Sequence, residues 1–202
     1  MKSVVLATGN PYKFREIQPR LVELGYSVFS QTEFFDDEVE EDGLSFVENA
    51  IKKARFASAK TGLPALADDS GLEVDVLGGA PGLYSARYAL NTVGVKDDHA
   101  NLIKLLDDLK DVPASQRDAR YCCAMAYVES EHDAMPVVGM GVWHGDILTE
   151  QRVGAGIGYD DVFWVPQLFK SVSEIPEDVK NSISHRAKAL DSVLQQLQGE
   201  QG

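Results

Sequence analysis

Four short stretches of this chain bring together residue types that can handle phosphate, a divalent metal and a planar base. Thr8-Gly9-Asn10-Pro11-Tyr12-Lys13 stands where an apolar run ends and a helical pattern begins. A helix start offers unpaired N–H groups and a positive dipole to a phosphate, and Lys13 adds a point charge one turn in. The spacing of a Walker A loop is absent. Glu40-Glu41 and Asp68-Asp69-Ser70-Gly71 supply carboxylates at an expected strand end, followed by an expected Ser-Gly turn. Mg²⁺ prefers such a platform, because it takes one or two carboxylates together with substrate phosphates and water. A carboxylate there could also accept a proton from an attacking water. Lys52 and Lys53 lie on a helical segment that could return to the same place. Gly154-Ala155-Gly156-Ile157-Gly158-Tyr159-Asp160 would let backbone approach a planar base closely. Lys180, Ser184, His185 and Arg186 fall on the expected last helix, where 180 and 184 share a face. Each stretch alone has an ordinary use as a capped helix, an Asx turn, a glycine-rich hairpin or a solvated helix face. Their joint presence in this order is the informative feature.

The elements that must position them follow from periodicity. SVVLATG (3–9) reads as a buried strand, and Lys13, Ile17, Leu21 and Leu24 then recur at helical spacing. YSVFS (26–30) is a second strand. Phe46, Ala50, Ala54 and Ala57 mark a helix from Ser45 to Lys60, with a start signal at 42–45. PALADD (64–69) is a third strand ending in carboxylates, LEVDVL (72–77) alternates in period two, and GGAPG (78–82) is a turn. Leu102, Leu105, Leu106 and Leu109 line one side of a helix over 98–110. ARYCCAMAYVES (119–130) and MPVVGMGVWHG (135–145) read as long neighbouring strands, and VFWVP (162–166) as a short one. Pro176 opens a final helix expected to run unbroken to about Leu197. This order predicts an α/β protein with a mixed sheet and two lobes, with ligands between them. No linker or repeat marks a boundary, so residues 1–202 read as a single two-lobed domain.

Composition narrows the function further. The net charge of −13, with Lys and Arg scattered and an acidic run FFDDEVEED at 34–42, excludes a protein that tracks a nucleic acid polymer. A phosphate ligand must then be small and met by a few lysines, with a metal to offset repulsion. No apolar run is long enough to span a bilayer, and the N-terminal run breaks at Gly9, too early for a signal peptide. The expected location is cytoplasmic, away from the membrane. Cys122 and Cys123 are adjacent, and neighbours on a strand face opposite ways, so a disulfide between them is sterically poor. No histidine completes a zinc pattern with them, and two core thiols are expected.

Taken together, ATGNPYK (7–13), EEDGLSFVENAIKKAR (40–55), ALADDSGLEVDVLGGAPGLYSARYA (65–89), GAGIGYDDVF (154–163) and KNSISHRAKAL (180–190) resemble the inosine triphosphate pyrophosphatase family, in bacteria the XTP/dITP diphosphatases. The likeness covers nearly the whole chain in order, and the 65–89 segment is highly specific. It implies a mixed twisted sheet with helices in two lobes, a nucleotide cleft between them, and a homodimer. It also implies Mg²⁺-dependent hydrolysis of ITP, dITP and XTP to the monophosphate and pyrophosphate, which keeps these nucleotides out of DNA and RNA. By the same resemblance Thr8, Gly9, Asn10, Pro11, Tyr12 and Lys13 bind the triphosphate with Lys53. Asp69 is the proton acceptor and a metal ligand, and Glu41 is the second acidic ligand, with Glu40 standing beside it as the alternative. Ser70 touches the substrate, Ile157, Gly158, Tyr159 and Asp160 flank the base, and Lys180, His185 and Arg186 close over the phosphate and the purine edge. Two residues depart from the family pattern: Ile157 stands where a phenylalanine is common, and Asp161 replaces a proline, which implies a looser turn. A related pyrophosphatase for modified pyrimidines would keep the phosphate residues and change this base loop. A nucleotide sensor without turnover would be expected to lack Asp69, Glu41 or the lysines, and all are present.

Overall fold

The computed structural model describes residues 2–152 and 156–199. In chain order its regular elements are β1 (Lys2–Leu6), α1 (Pro11–Glu23), β2 (Tyr26–Ser30), α2 (Phe46–Thr61), β3 (Ala65–Val74), α3 (Leu90–Val93), α4 (Asp98–Asp108), β4 (Asp118–Val128), β5 (Val137–Ile147), β6 (Phe163–Val165), β7 (Lys170–Ser171), α5 (Glu177–Ile183) and α6 (His185–Gly199). The strands form one mixed sheet in the order β2-β1-β3-β4-β5-β6-β7. β1 runs parallel to β2 and to β3, whereas β6 pairs antiparallel with both β5 and β7. No helix among the described residues is long and apolar enough to cross a membrane.

Two compact units divide the chain. One comprises Met1–Asp69, Cys123–Gly141 and Arg186–Gly202, the other Ser70–Cys122 and Val142–His185. In the first, strand alternation sorts side chains onto two faces. Val4 and Leu6 of β1 join Met125 and Tyr127 of β4 in a core with Ile17 and Leu21 of α1 and Leu190 and Val193 of α6. Val5, Ala7, Ala65, Ala67, Ala124 and Ala126 face the other way and meet Ala50, Ala54 and Ala57 of α2, each fully buried. Small residues on both sides of this seam let helix and sheet backbones pack closely.

The second unit is built around Leu72, Val74, Leu102, Leu105, Leu109, Trp143, Ile147 and Phe163. Leu102, Leu105 and Leu109 follow the predicted stripe along and just past α4. The end of that helix is closed by the buried Arg117 guanidinium, which donates to the carbonyls of Leu109 (2.6 Å), Val112 (3.1 Å) and Leu148 (2.9 Å).

Two expectations need correction. The 64–69 and 72–77 segments are not separate strands: β3 runs unbroken from Ala65 to Val74, so Ser70-Gly71 is strand interior and not a turn. Ser70 is half-buried and Gly71 and Leu72 are buried, where a turn would strand backbone polar groups. The final helix is also not continuous. It stops at Ser184, whose φ −66° and ψ 164° are extended, and restarts at His185. Lys180 and Ser184 therefore do not share one helix face, and His185 and Arg186 open a new helix.

Candidate active site

The predicted site residues divide between the two units, and the division falls between Asp69 and Ser70 and between His185 and Arg186. In the first unit, β1 delivers the chain to α1 through a self-capped turn. The Thr8 hydroxyl accepts from the Asn10 N–H (3.1 Å), and the Asn10 carboxamide oxygen accepts from the N–H groups of Tyr12 (2.9 Å) and Lys13 (3.4 Å). Pro11 fills the first helical position, where its missing N–H costs nothing. Gly9, Asn10, Pro11 and Tyr12 are exposed, while the Lys13 ammonium turns in to Asp68 at 2.8 Å.

Asp68, read in the sequence only as one carboxylate of a metal platform, turns instead to cations. Its carboxylate is nearly fully buried, with Lys13 on Oδ2 and Arg186 Nε 3.5 Å from the same oxygen. Burial alone would raise its pKa, but the charges of Lys13, Arg186 and Lys53 outweigh it and hold the carboxyl well below the usual range. Arg186 also pairs with Glu16, one turn after Lys13 on α1. Its own pKa is raised, because these carboxylates overcome the cost of burial.

Asp69 points to the other side of β3 and meets α2. Lys53 Nζ donates to its Oδ1 at 3.0 Å and to Glu41 Oε1 at 2.9 Å, so one ammonium joins both predicted metal ligands. Glu40 stays exposed, and Lys52 pairs with Asp42. The other Asp69 oxygen accepts from Asn49 Nδ2 at 3.1 Å. Asn49 and Lys53 are four residues apart on α2 and hence on one face, flanking Ala50 of the alanine seam. Asn49 is the first residue that the sequence did not single out. It is 2% exposed, and its Oδ1 accepts from the Gly43 N–H at 2.8 Å, which fixes the orientation of its amide. Gly43 has to be a glycine there, since a Cβ would lie 2.6 Å from Asn49 Oδ1. The loop bearing Glu41 is thus tied to the carboxylate it must accompany. Burial is the main influence on Asp69 and raises its pKa, which Lys53 and Asn49 only partly offset. Lys53 keeps its proton: burial disfavours the charge, but Asp68, Asp69 and Glu41 outweigh it.

The two carboxylates fit a particular kind of metal site. Among the described residues no three His, Cys, Asp or Glu side chains cluster to hold an ion. Glu41 and Asp69 instead offer the one or two carboxylates that suit Mg²⁺ arriving with substrate phosphates.

In the second unit Asp160 is the centre. Its Oδ2 accepts from Lys180 Nζ at 2.8 Å and its Oδ1 from the Tyr121 hydroxyl at 3.1 Å. The Tyr121 ring stacks on His185, with centroids 4.8 Å apart and planes 15° from parallel. Tyr121 is the second residue missed. β4 alternation, which buries Ala119, Tyr121 and Cys123 and leaves Arg120 outside, was its only signal. Tyr159 is a buried anchor whose hydroxyl donates to the Ser85 carbonyl at 2.8 Å. Ile157 and Ser70 are half-buried, and Gly158 has φ 61°, which favours glycine. Gly154 and Ala155 of the predicted loop lie outside the described residues. Asp161, in place of the family's proline, accepts from Gln151 Nε2 at 2.9 Å, a side-chain tie across the segment expected to be looser.

Comparison with known proteins finds relatives that match nearly the whole chain. The Ham1 family profile matches residues 4–196. The dITP/XTP pyrophosphatase of Photorhabdus laumondii is 48% identical over 197 residues, covering 98% of both chains. That of Escherichia coli O157:H7 is 50% identical over the same length and coverage. Among solved structures, a HAM1 protein from Coxiella burnetii superposes with a TM-score of 0.90 at 42% identity, covering 98% of this chain and 100% of that one. The Staphylococcus aureus Ham1 protein gives 0.85 at 36% identity with the same coverage.

Proposed function

The chain belongs to the Ham1 family, and from that we propose that it hydrolyses deaminated purine nucleoside triphosphates (ITP, dITP and XTP) to monophosphate and pyrophosphate. This keeps such nucleotides out of DNA and RNA. The observation that carries the reading is the Asp69 carboxylate, buried between Lys53 and Asn49, with Glu41 on the same ammonium.

Asp69 accepts the proton of the attacking water. Its pKa, raised chiefly by burial, makes it a stronger base than a surface aspartate. Asn49 and Lys53 hold both of its oxygens, so the acceptor is oriented before substrate arrives. Glu41 and Asp69 would hold a Mg²⁺ ion, which when bound supplies charge neutralisation on the phosphate oxygens. Lys13 and Lys53 meet the triphosphate and stabilise charge on the leaving pyrophosphate, together with the α1 start at Thr8–Tyr12. Attack falls at the α-phosphorus, and in ¹⁸O-water the label should enter the monophosphate; label found only in pyrophosphate would sink this assignment.

The base end meets Ser70, Ile157, Gly158, Tyr159, Asp160, Lys180 and His185, with Arg186 toward the phosphates. Hypoxanthine and xanthine present a 6-oxo acceptor where adenine presents an amino donor. Donors such as Lys180 and His185 favour the first and leave an unpaired clash with the second. Residues 1–202 act as one two-lobed catalytic domain, as a cytoplasmic homodimer. Pyrophosphate release from ITP, dITP, XTP, GTP, ATP and dTTP, with Mg²⁺ and with EDTA, tests the whole reading. Turnover of the first three, lost in EDTA, is expected. A flat profile, or one shifted to the pyrimidine, would overturn the purine choice and point to Ile157.

A further inference from the structure

Tyr121 touches both halves of the base-side cluster without belonging to it. Its ring lies between Phe163 (4.5 Å, 28°) and His185 (4.8 Å, 15°), a three-membered stack of nearly parallel planes. Phe163 is fully buried and gives the stack a fixed floor. The same side chain extends its hydroxyl to Asp160 Oδ1, while Lys180 occupies Oδ2. Tyr121, Asp160 and His185 are 8, 7 and 6% exposed, so none is held in place by solvent.

A phenylalanine would serve the stack alone. A buried phenol oxygen is costly unless paired, and the bond to Asp160 pairs this one. A carboxylate has room for about four hydrogen bonds. With Tyr121 and Lys180 on opposite oxygens, Asp160 keeps acceptor capacity in a fixed orientation. Hypoxanthine and xanthine carry an N1–H donor for such an acceptor, whereas adenine N1 is itself an acceptor and would be repelled.

We propose that Tyr121 is a positioning residue for base selection, whose ring sets the plane of His185 and whose hydroxyl sets Asp160, so that one side chain aligns two groups facing the purine. The proposal rests on the reading that the base meets Asp160, Lys180 and His185.

The test compares Tyr121→Phe, Tyr121→Leu and Lys180→Met with the parent enzyme, using ITP and ATP as substrates and pyrophosphate, which has no base, as an inhibitor. In Tyr121→Phe the stack survives, and kcat/KM for ITP should fall about 10-fold, the scale of one hydrogen bond to a charged group, with little change for ATP. The ITP-to-ATP ratio therefore narrows, and it narrows further in Tyr121→Leu. Inhibition by pyrophosphate should stay within about twofold of the parent, a readout that general misfolding would move. If Tyr121→Leu does not fold, Tyr121→Phe decides alone. Equal losses for ITP and ATP, or a weakened pyrophosphate inhibition to match, would reduce Tyr121 to a core residue and overturn the proposal. A Lys180→Met enzyme with the parent's ratio would instead remove the underlying base reading, and a parent with no preference for ITP would remove the proposed function itself.

Discussion

Replacing Asp68 by asparagine keeps its volume and removes its charge, which isolates what the buried carboxylate contributes. Two cations depend on it, Lys13 at 2.8 Å and Arg186 at 3.5 Å. Breaking a buried pair by removing one partner costs about 3–5 kcal/mol, because the other charge is left uncompensated. Arg186 keeps Glu16, so the group left alone is chiefly Lys13, whose side chain is 21% exposed and can swing toward water. The low end is therefore expected, about 3 kcal/mol. For a chain of this size that lowers Tm by roughly 6–12 °C. The pH dependence has a definite sign. The folded carboxyl sits below its unfolded value near 3.8, so its contribution is complete above that pH and is lost as pH falls toward the folded value. Urea unfolding of parent and variant at pH 7 and again at about pH 3 reads both quantities, with the gap narrowing at the lower pH. Adding Lys13→Met to the variant should recover part of the loss, since removing both partners leaves no orphaned charge. A variant within about 0.5 kcal/mol of the parent at pH 7, or a gap that widens with acid, would refute the account of Asp68 as the hub of this network.

Other perturbations probe the catalytic side. Asp69→Asn should fold normally and lose about 10²–10⁴ in kcat with ITP, as expected for removal of a general base, and near-parental turnover would discard it as the proton acceptor. Gly43→Ala places a methyl 2.6 Å from Asn49 Oδ1 and 2.9 Å from Glu48 Cβ. It should destabilise by about 1–3 kcal/mol and lower kcat, and a urea midpoint and kcat both equal to the parent's would show that the loop accommodates a side chain freely. Burial pushes the Cys122 thiol up to about 11 and the Cys123 thiol up to about 12, so both are protonated at pH 8. Labelling by a thiol-specific disulfide reagent should be slow in the folded protein and fast in guanidinium, and rapid native labelling of both would contradict their placement.

Local pattern carried much of the fold. β2 matches its predicted stretch residue for residue, and the alanines at 50, 54 and 57 marked the buried face of α2 correctly. The errors arise where tertiary context overrides a local signal. Ser70-Gly71 has turn chemistry, yet it sits inside the unbroken strand β3, with strands on either side in the sheet. The break at Ser184 has no glycine or proline to announce it, and only the extended backbone of that residue reveals it. At the site, charged types in unusual pairs were legible, so Asp69, Glu41, Lys13 and Lys53 stood out. Asn49 and Tyr121 did not, and Asp68 was legible only as half of an acidic pair, because their roles lie in whom they touch. Asn49 was within reach of helical spacing, four residues before Lys53. Asp68 and Asp69 point to opposite sides of β3, a consequence of alternation that sends one carboxylate to Lys13 and Arg186 and the other to Lys53 and Asn49.

The alanine seam beneath α2 has a consequence for the way this protein can tolerate change. Ala50, Ala54 and Ala57 carry no functional group and sit in an apolar cluster built largely of alanines, yet the separation of helix and sheet is set by their methyl groups. Enlarging one of them to valine or leucine would lift the helix, and Asn49 and Lys53 would move with it as a rigid pair away from Asp69. A displacement of about 1 Å at a reacting centre costs on the order of a hundredfold in rate. A survey of random substitutions should therefore find an inactive but folded class along this stripe, where a residue's only duty is to be no larger than it is.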